Sequence, residues 1–201
     1  MMEELQKKWK DILWAAHSLF DRGKTSGSSA NISFRHEDMI YISGSGTCFG
    51  TLKKEEFAML SIDGQCQNSI KPSKELPLHM CLYKKSDAIQ AVIHTHSFYA
   101  TLWSCYKHEN AENVIPSVTP YLNMKVGKIA LIPYAPPGSS ELFSLMEDRA
   151  HLANGFLLKN HGPLVGGKTI MDAFFGIEEL EESARIACAL RGELRDAYDT
   201  I

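Results

Sequence analysis

Over the first twenty residues, apolar side chains recur at steps of three and four: Leu5, Trp9, Ile12, Leu13, Ala16, Leu19 and Phe20. That spacing predicts a helix from Met2 to Asp21 with one apolar face, ended by Gly23. The run TSGSSANISF stays small and polar until Ile32 and Phe34, and the β-prone MIYIS follows. A loop feeding a hairpin is expected, with Gly-Ser-Gly at 44–46 as a tight turn. Lys53 to Leu60 predicts a short helix, and SIDG a strand ending in a turn. Glu75 to Lys85 predicts a helix with Leu78, Cys81 and Leu82 inward and Pro77 in its first turn. Ala88 to His94 reads as a buried strand, and Ser97 as the cap of the helix FYATLWSCY. Two further strands, 129–132 and 156–158, flank a helix from Ser139 to about Leu152, capped by Ser139 or Ser140. The last helix, Thr169 to about Arg191, turns Ala173, Phe174, Ile177, Leu180, Ala184, Ala187 and Leu190 inward. Helices and strands alternate without repeats or linkers, so one α/β domain over residues 1–201 is expected.

Composition narrows the partners. With 44% hydrophobic and 22% charged residues the chain is of ordinary globular make-up, and its net charge of -3 gives no global attraction to nucleic acid or an anionic membrane. Any anion site must be local. The amino terminus mixes acids, lysines and apolar residues, unlike a signal peptide or a spanning helix, so a cytoplasmic location is expected. Five cysteines, an odd number without a CxxC pair, suit reduced thiols, and none looks like a metal ligand.

His94 and His96 stand two positions apart at the end of the expected strand, so both imidazoles point to one side and can share an ion. For a lone HxH the alternative is one core and one surface histidine. His161, in LLKNHGPLVGG, again follows an apolar strand. Three histidines at strand ends with an acid nearby are the ligand set of a catalytic zinc with an open position, and imidazole donors favour zinc over magnesium. Glu75, in SIKPSKELPLHM, reads either as an ordinary first-turn acid or as part of a site. Ser73 and Lys74 beside it could hold a phosphate through backbone amides and an ammonium. The Ser/Gly segments 26–31 and 43–46 could supply more donors.

SGSSANIS, SGSG, PSKE, HTH, TPYLNM and NHGPLVGG, in that order and spanning about Leu19 to Arg191, resemble the class II aldolase family. The resemblance implies an α/β/α fold with a central, largely antiparallel sheet, in a homotetramer with active sites at subunit interfaces. It implies zinc on His94, His96 and His161, or manganese or cobalt in its place. Glu75 would be acid/base and fourth ligand in the empty site. Asn31, Ser45, Gly46, Ser73 and Lys74 match phosphate-contact positions. Tyr121 matches a tyrosine that donates a proton in a neighbouring subunit's site; a core aromatic in an interface strand is its alternative.

Within the family, KPSKE, with Lys74 where fuculose-phosphate aldolases have a second serine, and LIPYAPPG look most like the branch that decarboxylates 3-oxo-tetronate 4-phosphate. That branch implies dihydroxyacetone phosphate and carbon dioxide as products, formed through an enediolate chelated by zinc. The substrate expected is thus a small phosphorylated keto-acid, or a keto-sugar if the chain is an aldolase. A non-catalytic module like the adducin heads and a zinc hydrolase are the readings from other classes.

Overall fold

The opening segment folds as helix α1 (Met2–Asp21), whose apolar stripe buries Trp9, Ile12, Ala15, Ala16 and Leu19. In this computed structural model residues 2–190 are described. Strands β1 (Asn31–His36) and β2 (Met39–Ser43) form the expected hairpin, paired from His36 with Met39 to Ser33 with Ile42.

The outer edge of β2 takes strand β3 (Phe57–Ser61), which overturns the helix expected from Lys53 to Leu60. What forms before it is a single 3-10 turn, Lys54–Glu56, closed by the Lys53 amide donating to the Glu56 carboxylate at 2.8 Å. The helix-favouring run of Lys, Glu, Ala and Met gains only a few tenths of a kcal/mol per residue. Burying Phe57, Ala58 and Leu60 on a hydrogen-bonded ladder outweighs that. Of SIDG, only Ser61 belongs to the strand, and a turn follows.

Helix α2 (Leu76–Lys85) leads to strand β4 (Ala91–His94), three residues shorter than expected, and then to helix α3 (Phe98–Cys105). A short helix α4 (Tyr121–Lys125), which the periodicity did not suggest, precedes strand β5 (Ile129–Ile132). Helix α5 (Ser140–Arg149) is capped by Ser139, whose hydroxyl accepts from the Leu142 amide at 3.2 Å. Strands β6 (Gly155–Leu158) and β7 (Gly162–Gly167) form a second hairpin, β7 being another unexpected element. Helix α6 (Ile170–Ala189) closes the described part with six of its seven expected inward residues buried. Leu190, just past it, is half-buried, and the expected end at Arg191 lies outside the described residues.

The seven strands lie in the order β3-β2-β1-β4-β7-β6-β5, antiparallel except for the β5–β6 pair. Side chains alternate between two cores. Ile32, Phe34, Ile93 and Val165 pack with α1, α3 and α6 on one face, while Val92, Ile132, Phe156 and Leu164 pack with α2 and α5 on the other. The result is the three-layer α/β/α arrangement with a largely antiparallel sheet. Among the described residues no helix is long and apolar enough to cross a membrane.

Candidate metal centre and substrate cavity

Strand register brings the site together. Asn31 at the start of β1 pairs with His94 at the end of β4, and His94 pairs on its other side with Leu164 of β7. The β6–β7 turn carries His161, whose amide donates to the Leu158 carbonyl at 3.0 Å, after Asn160 at φ 56, a left-handed conformation asparagine tolerates. Gly162 then lets this turn approach the His94–His96 segment: a Cβ built on it would lie 2.3 Å from the Thr95 carbonyl oxygen. A side chain there would push His161 away from the other two histidines.

The three imidazoles stand as a nearly equilateral triangle, with ring centroids 5.0, 4.8 and 4.8 Å apart. Their ligand-capable nitrogens all lie within 4.8 Å of one another. Glu75, only 3% exposed, enters from the start of α2: its Oε2 is 3.3 Å from His94 Nε2 and its Oε1 is 3.3 Å from His161 Nε2.

Hydrogen counting defines what this centre is built to hold. His94 Nδ1 lies 2.8 Å from the Pro163 carbonyl, which can only accept, so Nδ1 carries the hydrogen. Burial pushes the conjugate acid of His94 down to about 3, with His96 adding to the effect, so Nε2 is a bare lone pair. That lone pair lies 3.1 Å from His96 Nε2 and 3.3 Å from Glu75 Oε2. Burial likewise lowers the proton affinity of His96 and of His161. Oε1 of Glu75 is buried without a hydrogen-bond partner among the described residues. Converging acceptors of this kind, buried at His94, His161 and Glu75 and exposed at His96, are compensated by a shared cation, and three imidazoles with one carboxylate are donors suited to zinc.

The centre opens into a cavity of about 380 Å³. Asn31, Ser45, Gly46, Ser73 and Lys74 all line it, together with Ser28, Ser29, Glu75, His96 and His161. Backbone amides expected to face an anion are largely committed elsewhere. Those of Ser29, Ser45 and Ser73 donate to the carbonyls of Ser26, Lys71 and Ser43 at 3.3, 2.9 and 3.2 Å, and that of Leu76 to Ser73 at 3.1 Å. What the cavity offers an anion is therefore hydroxyls, the amides of Ser28, Gly46 and Lys74, which have no partner among the described residues, and the Lys74 ammonium, which makes no ion pair among them.

Tyr121 is not brought to this cavity. It is 60% exposed on α4 and is neither a core aromatic nor on a strand, so it would reach a site only from another copy of the chain. Ser97 occupies the N-cap position of α3, but its hydroxyl makes no capping bond. The buried carboxylate of Glu181 on α6 caps that helix instead, accepting from the amides of Tyr99 at 3.2 Å and Ala100 at 2.8 Å.

Sequence reasoning missed His79. It is fully buried on α2 and hydrogen-bonds Asn31, which in turn donates to Glu75. The signal that could have found it is the Glu75–His79 spacing of four, which places both on one side of a helix.

With this geometry in place, comparison with known proteins is informative. A family model, Class II Aldolase and Adducin N-terminal domain, matches residues 10–188. The 3-oxo-tetronate 4-phosphate decarboxylase of Haemophilus influenzae is 38% identical over 185 residues, covering 91% of this chain and 88% of that one. An L-fuculose phosphate aldolase of Methanococcus maripaludis is 37% identical over 168 residues, covering 84% and 89%. Both names are those of carbon–carbon lyases. The crystal structure of YgbL from Escherichia coli superposes with a TM-score of 0.90 at 32% identity, covering 98% of this chain and 94% of that one. The three-layer fold, the converging histidines and these matches agree, and the chain belongs to the class II aldolase family.

Proposed function

We propose that this chain is a metal-dependent decarboxylase that converts 3-oxo-tetronate 4-phosphate to dihydroxyacetone phosphate and carbon dioxide. The observation that carries the reading is the presence, in one cavity, of a three-imidazole, one-carboxylate centre and the free ammonium of Lys74. A substrate with a carboxylate at one end and a phosphate at the other brings several negative charges, which a cation and Lys74 together offset. Decarboxylase relatives at 38% identity support the same reaction.

His94, His96 and His161 would hold zinc, with manganese or cobalt as substitutes and Glu75 as a fourth ligand before substrate arrives. Bound there, the ion supplies Lewis acidity for the negative charge that develops on the substrate oxygens. The remaining work falls to the chain. Cleavage of C1–C2 releases carbon dioxide and leaves its electron pair at C2, conjugated with the C3 carbonyl. Glu75, after taking up a proton from solvent, delivers it to C2 and so completes the hydroxymethyl group of dihydroxyacetone phosphate. Tyr121 of a neighbouring copy is the alternative donor. The Ser45 and Ser73 hydroxyls, Gly46, Asn31 and Lys74 hold the phosphate.

Aldol cleavage is the second reading, favoured by the 37% identical L-fuculose phosphate aldolase. It generates the same kind of electron pair by breaking a carbon–carbon bond to an aldehyde. A non-catalytic adducin-like module has no use for four converging donors. A homotetramer with sites at its interfaces, the assembly the family resemblance implies, would let exposed Tyr121 of one copy reach the cavity of another.

Metal-loaded protein should be offered 3-oxo-tetronate 4-phosphate of either C2 configuration, and fuculose and rhamnulose 1-phosphates in parallel. Carbon dioxide and dihydroxyacetone phosphate released together are expected. Aldol products alone would replace the decarboxylase by the aldolase, and no turnover of any of them would overturn both. Glu75→Gln should lower turnover by about 100-fold or more while binding persists; unchanged turnover moves the proton donor to Tyr121.

A further inference from the structure

A row of buried polar side chains runs away from Glu75 between β1 and α2. Asn31 Nδ2 donates to Glu75 Oε2 at 3.0 Å, and Asn31 Oδ1 lies 2.6 Å from His79 Nε2. On the far side of the ring, His79 Nδ1 lies 2.7 Å from Ser33 Oγ, which lies 2.7 Å from the Tyr83 hydroxyl. All five residues are buried. A core position has no need of such a chain unless it sets something.

Its hydrogens can be placed by elimination. The Glu75 carboxylate oxygen accepts this bond, so Asn31 turns its amide nitrogen, not its oxygen, towards Glu75. That leaves Asn31 Oδ1 facing His79, so His79 Nε2 carries the ring hydrogen. Burial pushes the conjugate acid of His79 down to about 3, with His94 adding to the effect, so the ring is neutral and Nδ1 is bare. Nδ1 then accepts from Ser33, and Ser33 accepts from Tyr83. Every bond donates in one direction, from Tyr83 towards Glu75.

We propose that His79 is a positioning residue: its Nε2–H fixes the amide orientation of Asn31, and through it the carboxylate of Glu75 at the cavity wall. The second Asn31 Nδ2 hydrogen has no partner among the described residues, and Asn31 lines the cavity. His79 therefore also decides that substrate meets an N–H donor at Asn31 instead of a carbonyl oxygen. Were the amide reversed, Oδ1 would face the Glu75 carboxylate, and the two acceptors would repel.

The inference rests on the role proposed above for Glu75, and two replacements of similar size separate it from a packing effect. His79→Gln retains a donor near the Nε2 position, whereas His79→Asn retains only a group near Nδ1. With equal losses of melting temperature, His79→Gln should keep kcat within about threefold, while His79→Asn should lose about 10- to 100-fold, the usual cost of freeing a residue that orients a site. Equal loss of kcat in both variants would overturn the positioning role. The tautomer gives a readout independent of turnover. In the zinc-loaded protein with ¹⁵N-labelled histidine, the ring nitrogen shifts of His79 should show Nε2 protonated and Nδ1 bare, and the opposite tautomer would also overturn it. If the wild type releases no carbon dioxide, the proposed reaction falls, and the tautomer still decides the role of His79.

Discussion

Gly162→Ala tests how closely the two histidine-bearing loops must meet. The added Cβ would lie 2.3 Å from the Thr95 oxygen, whereas real Cβ contacts essentially never fall under 3.0 Å, so at least the difference of 0.7 Å must open. Thr95 sits between His94 and His96, and residue 162 follows His161, so the opening separates one of the three converging imidazoles from the other two. Zinc–nitrogen bonds are held to within about 0.2 Å of 2.0–2.1 Å. A displacement of 0.7 Å is more than three times that tolerance. Zinc affinity should fall by about 10- to 100-fold, and the overpacked contact should cost about 1–3 kcal/mol of stability, or several degrees of melting temperature for a domain of this size. Competition with a chromophoric chelator gives the affinity, and thermal unfolding of the metal-stripped protein gives the packing cost alone. Wild-type zinc affinity in the variant would refute the reasoning, since the loops would then accommodate a methyl group without moving His161.

Three further outcomes are expected. His161→Ala should lose most bound zinc and nearly all turnover, because two imidazoles and a carboxylate hold a catalytic ion poorly; elemental analysis showing full occupancy would remove His161 from the ligand set. Lys74→Ser should weaken substrate binding by roughly 1.5–3 kcal/mol, seen mainly in KM; a fall in kcat instead would place the ammonium at the carboxylate that departs. Glu181→Ala should cost about 2–3 kcal/mol in urea unfolding, since it strips a buried and a half-buried amide of their acceptor, whereas Ser97→Ala should cost almost nothing. The reverse order would restore Ser97 as the cap.

The convergence of His94, His96 and His161 was legible because its signal is local: two histidines separated by one residue at a strand end, and a third after another strand, need only the two-residue repeat of a strand to be read. The Ser139 cap was legible for the same reason, its acceptor and donor being three residues apart. Glu181 was not, because it caps a helix more than eighty residues earlier and looks in sequence like one acid among several on α6. Strand β3 was hidden by residues whose helix propensity is real but weaker than the ladder they join. The committed amides of Ser45 and Ser73 were invisible for a further reason: a Ser/Gly loop announces that its backbone can approach a ligand, not where its amides already point.

The polar row beside Glu75 also bears on how the fold reaches one register. Strand β1 sends Ile32 and Phe34 to the core under α1 and α6, and sends Asn31 and Ser33 to the opposite face, where His79 and Tyr83 of α2 receive them. A slip of one residue against β4 would exchange the faces, driving Ile32 and Phe34 onto His79 and Tyr83 and burying the Asn31 amide and Ser33 hydroxyl among hydrocarbon. Each polar group stranded there would cost on the order of 1–3 kcal/mol, on top of the apolar packing that Ile32 and Phe34 would give up. Only the observed register pairs Asn31 with His94 and leaves the Asn31 amide within reach of Glu75. The groups that hydrogen-bond the carboxylate side of the site therefore also penalise the pairing that would misplace the three histidines, so substitution at Ser33 or His79 should loosen both.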